Sequence, residues 1–166
     1  MKVKSLSTVA AIALLSFGTA IALVKPETIQ HIQQSISEAI AGEAAYAQSV
    51  GGSLAKKLHG KPVVVDIYAS WCPACKNIAP TLSQLKQQYA GKVHFVVLDV
   101  SDRESTAQSE AIAQELGLSD FFAANKNRTG SVTIVEPSTG KILSQNSNNP
   151  NKSTYTRVLD AALARR

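Results

Sequence analysis

Cys72 and Cys75 are the residues of this sequence best suited to covalent chemistry. They are the two cysteines of the chain, and they lie three positions apart. A disulfide between them would close a four-residue loop, which stabilises a fold by roughly 2 kcal/mol, against about 4 to 5 kcal/mol for a long loop. The pair is therefore better suited to reactivity than to a structural crosslink. A C-x-x-C pair also serves zinc sites, so the spacing alone leaves a metal site open.

The residues on either side of the cysteine pair indicate which reactions the two thiols are suited to. Pro62–Tyr68 is an apolar, β-branched run that predicts a buried strand, and Pro73–Tyr89 has helical periodicity. Cys72 would then stand at a helix N-terminus, with Cys75 one turn inside. The unpaired N–H groups and the helix dipole favour an anion there, which lowers the pKa of a thiol below about 8.5. Pro73 fits the first helical turn, where its missing N–H costs nothing.

This placement predicts thiol–disulfide exchange. We expect Cys72 to be the exposed nucleophile that attacks a partner disulfide, and Cys75, more buried, to resolve the mixed disulfide by forming the Cys72–Cys75 bond. Asp66 is the one charged residue in the run Val63–Tyr68, so burial should raise its pKa. It is the candidate proton acceptor and donor for Cys75, directly or through water. The alternative is a buried carboxyl group satisfied by hydrogen bonds alone.

The run VVVDIYASWCPACK at 63–76, followed by Ile78-Ala79-Pro80, resembles the active-site region of the thioredoxin family. The resemblance implies a thioredoxin fold for roughly residues 51–166 and protein dithiols or disulfides as partners, with no resident cofactor or metal. It also implies that Trp71 shields the site, ordinary packing being the alternative, and that Pro80 kinks the helix. The matching positions are Asp66, Trp71, Cys72, Cys75, Lys76 and Pro80.

Two departures from the family pattern concern the reactive loop. Pro73-Ala74 stands between the cysteines where the family usually has Gly-Pro, and this dipeptide tunes redox poise, so the direction of electron flow stays open. The family also places a cis-proline opposite the cysteines in a G-x-P-T pattern. The best match is Gly130-Ser131-Val132-Thr133, which puts Val132 in the proline position. Val132 would alter partner docking and metal exclusion, or would act simply as a strand residue.

A third departure is the segment 118–129, which looks like an insertion containing Phe121 and Phe122. Either both rings enter the core or the segment docks a partner.

The remaining pattern predicts an α/β domain in the order α-β-α-β-α-β-β-α, with a mixed central sheet, helices on both faces and one antiparallel hairpin at an edge. A loop is expected over Ser144–Lys152. The other predicted helices are Ser53–His59, Ser105–Leu116 and Ser153–Ala164, and the other strands are Val93–Val100, Ser131–Val135 and Lys141–Ser144.

The N-terminal residues predict membrane targeting. Lys2 and Lys4 precede the uncharged stretch Ser5–Val24, which as a helix would span roughly 30 Å. It is a signal peptide, with Ala20-Ile21-Ala22 as a cleavage site, or a retained anchor; a buried core helix is the third interpretation. In the first two interpretations the domain is either membrane-anchored or secreted. It then lies on the non-cytoplasmic side of the membrane, in the periplasm or the thylakoid lumen. Residues 1–24 would thus form the targeting segment, 25–50 a helical spacer and 51–166 the domain.

Composition excludes some functions. The net charge of +5 is thinly spread and aromatic residues make up 5%, so we expect no nucleic-acid binding. We expect a monomer that meets a membrane or soluble redox partner. Two alternatives remain: a metal or iron–sulfur module using the same cysteines, with further ligands or a dimer, or a non-catalytic binding domain. The histidines, His31, His59 and His94, lie far from the motif in sequence.

Overall fold

The structure, a computed structural model, describes residues 49–165. The predicted targeting segment Ser5–Val24 and the predicted spacer helix Pro26–Ala47 lie outside the described residues. Within residues 49–165, no helix has the length and apolar character needed to cross a membrane.

One mixed four-stranded sheet forms the centre of the described domain, in the order β2-β1-β3-β4. Strands β1 and β2 are parallel, whereas β3 is antiparallel to both β1 and β4. This confirms the predicted mixed sheet with an antiparallel hairpin at one edge. The strands are β1 (Val63–Tyr68), β2 (His94–Asp99), β3 (Ser131–Glu136) and β4 (Lys141–Ser147).

Helices cover both faces of this sheet. The α-helices are α1 (Pro73–Gln88), α2 (Arg103–Leu116), α3 (Ser119–Asn125) and α4 (Lys152–Ala164). Asp102 caps the start of α2 by accepting a hydrogen bond from the Ser105 amide, and Gly117 ends that helix with a φ of 77°. The helix predicted at Ser53–His59 is reduced to one 3-10 turn over Lys56–Leu58.

The loop predicted for Ser144–Lys152 was wrong in its first half. Strand β4 continues to Ser147, because Ser147 still pairs with Ser131 at the start of β3. Strand β3 supplies the ladder hydrogen bonds there, and asparagine-rich sequence does not prevent an edge strand from using them. The loop that remains is short and ends at Asn151, which caps α4.

Strand β1 divides its side chains between two apolar clusters, as the alternation of a strand requires. Val63, Val65 and Ile67 join the cluster beneath α2 and α3, while Val64 joins the cluster of α1 and α4. Asp66 alternates with Val65 and Ile67, so it points toward α1. The sheet thereby brings one carboxyl group to the helix that carries the cysteines.

The segment 118–129 places both of its phenylalanines in the core. Phe121 and Phe122 are buried within the cluster beneath α2 and α3. This confirms the core-filling interpretation of that segment. Val50, close to the N-terminal end of the described residues, is also buried in this cluster. Its amide donates a hydrogen bond to the Gly140 carbonyl at 2.9 Å.

Candidate active site

Cys72 is the N-cap residue of α1. Its backbone is extended (φ −80°, ψ 117°), and its sulfur accepts a hydrogen bond from the Cys75 amide at 3.1 Å. Pro73 follows in the first turn, where its ring needs no N–H partner. The orphan donors of the helix therefore point at this sulfur, which is the placement that the strand-to-helix pattern predicts.

Both cysteines are buried, and the two thiols are not bonded to each other. Cys72 is 3% exposed and Cys75 is 2% exposed. The expectation of an exposed Cys72 was therefore wrong. The physical reason is a small cluster that Cys72 forms with Ala69 and Cys75, against which Tyr68, Ala74 and Val100 pack.

Hydrogen bonding makes the Cys72 thiol acidic. Burial opposes ionisation, but the hydrogen bonds that converge on its sulfur outweigh burial, so the pKa of Cys72 lies below its ordinary value of 9.0. The donors are the Cys75 thiol, the Thr129 hydroxyl and the backbone amides of Cys75 and Ala74. Hydrogen bonds to a charged acceptor are the strong ones, and here they favour the thiolate.

The Cys75 thiol has the opposite character. Burial, followed by its hydrogen bond with Cys72 and the nearby negative charges of Cys72 and Asp66, raises the pKa of Cys75 to about 11. Its sulfur lies 3.9 Å from the Ile67 carbonyl oxygen, to which the thiol can donate. At neutral pH Cys75 therefore keeps its proton and needs a base before it can act as a nucleophile.

Asp66 is the candidate for that base. It is 6% exposed, and burial raises its pKa from 3.8 to about 6, an effect that the positive charge of Lys86 partly offsets. Its Oδ1 atom has no hydrogen-bond partner within the described residues. Asp66 and Cys75 line one cavity of about 380 Å³.

Gly130, rather than Val132, contacts the cysteine loop. Val132 is fully buried, pairs with Asp66 across the sheet and packs with Ile78 in the cluster of α1 and α4. This agrees with the interpretation of Val132 as a strand residue, because it is the second residue of β3 and its side chain is buried. All peptide bonds of the described residues are trans.

The sequence model of the family described as Thioredoxin matches residues 46–132, just over half of the chain. The chain belongs to the thioredoxin family.

Three curated relatives are similar to it. Thioredoxin C-2 of Corynebacterium nephridii is 54% identical over 46 residues, 28% of this chain and 43% of that protein. The chloroplastic thioredoxin-like protein HCF164 of Oryza sativa subsp. japonica is 29% identical over 123 residues, 73% of this chain and 44% of that protein. A thiol:disulfide interchange protein TxlA homolog of Synechocystis sp. is 41% identical over 46 residues, 28% of this chain and 26% of that protein. The chain spans less than half the length of each.

Trp71 of this thioredoxin domain lies beside the cysteines on the surface. It is 60% exposed, and its indole N–H donates to the Ser101 carbonyl at 3.0 Å. Core packing is therefore not its role. Pro80 lies inside α1 with an exposed side chain, and the predicted kink there remains a prediction.

Two residues of the site were missed from the sequence. Ser101 accepts a hydrogen bond from the Ser70 amide at 2.8 Å and is itself held by Asp99, so it ties the β2–α2 loop to the reactive loop. Thr129 supplies its hydroxyl to Cys72 from 57 positions along the chain. Gly130 was the available signal for Thr129, since a glycine beside a strand often marks a close backbone approach.

Proposed function

We propose that this protein is a thiol–disulfide oxidoreductase that exchanges disulfides with exported or membrane-associated proteins through a Cys72–Cys75 couple. One observation carries the proposal: the Cys72 sulfur caps α1 and accepts from the Cys75 amide at 3.1 Å, whereas Cys75 lies one turn inside and lines a cavity with the buried Asp66. This asymmetry displaces the two thiol pKa values in opposite directions, and a structural cysteine pair has no need of it. The name of the Synechocystis relative, a thiol:disulfide interchange protein, agrees with this chemistry.

The reaction proceeds in two exchanges. The Cys72 thiolate attacks one sulfur of the partner disulfide; the partner S–S bond breaks, and one partner sulfur leaves as a thiolate. Asp66 then accepts the Cys75 proton, and the new Cys75 thiolate attacks the Cys72 sulfur. The second partner sulfur leaves, so the partner gains two electrons and the Cys72–Cys75 pair loses two. The reverse sequence oxidises a partner dithiol.

The exported location rests on the sequence that precedes the described domain. Lys2, Lys4 and the uncharged stretch Ser5–Val24 favour export of everything that follows. The rice relative is named as chloroplastic, which is consistent with the thylakoid lumen as one such compartment. Protease protection of the full chain in sealed membrane vesicles tests this. A protease should reach an exported domain only from the non-cytoplasmic face of the membrane, and a cytoplasmic domain only from the opposite face.

The chemistry is tested with three forms of the full chain and insulin as the disulfide substrate. Wild type should reduce insulin, Cys72→Ser should be inactive, and Cys75→Ser should accumulate mixed disulfides on Cys72 that dithiothreitol releases. Cys72→Ser is the matched control, because it has the same loss of one thiol but should trap nothing. Equal trapping by both variants, or an inactive wild type, would contradict the proposal. Equilibration with glutathione gives the reduction potential and thereby the favoured direction.

A further inference from the structure

The cavity that joins Asp66 to Cys75 has a third ionisable residue in its lining, Lys86. The cavity lies between α1 and the edge strand β2 and has a volume of about 380 Å³. Its wall on the β2 side includes Val97, the strand partner of Asp66, which is 38% exposed. It therefore opens to solvent, and it has room for several water molecules beside the unpaired Asp66 oxygen.

Helix geometry places Lys86 on the face of α1 that carries Cys75. The two residues are eleven positions apart, which is close to three full turns. Ala79 and Ser83 lie at helical spacing between them and line the same cavity. A long side chain on a helix points back toward its N-terminus, so the Lys86 ammonium extends toward Asp66 and Cys75.

We propose that Lys86 is a positioning residue for the resolving step: it holds Asp66 as the carboxylate that accepts the Cys75 proton, and water in the cavity carries that proton to solvent. This inference rests on the proposed function and names the group that regulates its second exchange. Among the described residues that line the cavity, Lys86 is the one with a positive charge. The direction of its effect agrees with the lowering influence of Lys86 on the pKa of Asp66.

Other groups that face Asp66 act in the opposite sense or are neutral. Asp99 of β2 lines the same cavity and carries a negative charge, although its Oδ1 atom already accepts hydrogen bonds from Ser101. Tyr68 of β1 lines the cavity as well. Burial, and after it the negative charge of Asp66, raise the pKa of Tyr155 on α4. Removal of the Lys86 charge should therefore leave Asp66 among neutral and negative groups.

The test compares Lys86→Gln with wild type and with Lys92→Gln, which removes an exposed lysine just after α1. The first readout is the NMR titration of the Asp66 side-chain carboxyl carbon in the reduced protein. The second is stopped-flow reaction with an aromatic disulfide, in which the first thiol released reports attack by Cys72 and the second reports resolution by Cys75. The pH profile of the second phase gives the pH at which the base becomes available.

Lys86→Gln should move both the Asp66 titration and the second-phase profile upward by about half a pH unit. The first phase should be unchanged, Lys86→Arg should restore both profiles, and Lys92→Gln should leave them as in wild type. A purely structural role of Lys86 at the end of α1 would change stability without moving either profile. An unmoved Asp66 titration, or an equal shift in Lys92→Gln, overturns the inference. Absence of the first phase in wild type would instead overturn the proposed function.

Discussion

A methyl group added to Gly130 would lie 2.6 Å from the Cβ atom of Ala74. The chain entering β3 thus approaches the cysteine loop more closely than any side chain on Gly130 would allow. The Gly130 amide also donates to the Ile67 carbonyl at 2.8 Å, which anchors the segment at the end of β1. The residue before Gly130 is Thr129, whose side-chain hydrogen bond contributes to lowering the pKa of Cys72.

Gly130→Ala should destabilise the domain and disturb the site. Its φ of 77° costs an alanine about 1 kcal/mol, and the clash with Ala74 adds roughly 1 to 3 kcal/mol. Gly91→Ala is the matched control, because Gly91 has a φ of 73° and open space where its Cβ atom would be. Urea unfolding should show the larger loss for Gly130→Ala. Ala74→Gly in the same chain should recover the difference between the two variants, and an equal loss in both single variants would contradict this account.

Thr129→Val should make Cys72 less acidic. Valine keeps the shape of threonine but removes the hydroxyl that donates to the Cys72 sulfur. Loss of this hydrogen bond, which favours the thiolate, should raise the pKa of Cys72. Titration of the thiolate ultraviolet absorbance in the Cys75→Ser background measures it. Thr129→Ser retains a hydroxyl and should stay near wild type; a Thr129→Val titration that overlays wild type would remove Thr129 from the site.

Asp66→Asn should stabilise the protein at neutral and alkaline pH but not in acid. The pKa of Asp66 is about 6 in the folded protein against an ordinary 3.8, so the folded state binds this proton more tightly than the unfolded state. Its contribution to stability is complete below pH 3.8 and is lost as pH rises through about 6. The full loss amounts to about 3 kcal/mol.

The measurement is the difference in free energy of unfolding between Asp66→Asn and wild type, followed with pH. That difference should increase in favour of the variant as pH rises through the Asp66 titration. Asp120→Asn, at an exposed aspartate, serves as the control and should show no comparable trend. A flat difference for Asp66→Asn would mean that burial does not raise this pKa.

Ser101→Ala should loosen the reactive loop. The hydroxyl it removes accepts from the Ser70 amide and donates to Asp99, so the loss should cost about 1 to 2 kcal/mol. Trp71 is the single tryptophan of the chain, and its fluorescence anisotropy reports the mobility of the loop. Anisotropy should fall in Ser101→Ala and recover in Ser101→Thr. Unchanged anisotropy and stability in Ser101→Ala would show that this hydroxyl does not support the loop.

Local patterns were enough to predict the strand, the helix and the two cysteines between them. The β-branched run 63–68 and the periodic helix 73–88 each depend on neighbouring residues, which sequence periodicity reports well. Asp66 was recognisable as one charge in an apolar run. Thr129 and Ser101 were not, because their contacts with the reactive loop join distant parts of the chain.

Ser49 pairs with Lys141 at the start of β4, and Gly140 next to it packs against Gly52 so closely that a Cβ atom there would overlap the Gly52 carbonyl. In the sheet register Lys141 pairs with Glu136, next to Val135, which pairs with Val63 at the start of β1. The cysteines follow the opposite end of β1, after Tyr68. The entry point of the domain and its sulfurs are thus separated by a strand length of roughly 20 Å. The polypeptide therefore enters the described domain at the end of β1 opposite its sulfurs, and a partner can approach the sulfurs without meeting that entry point.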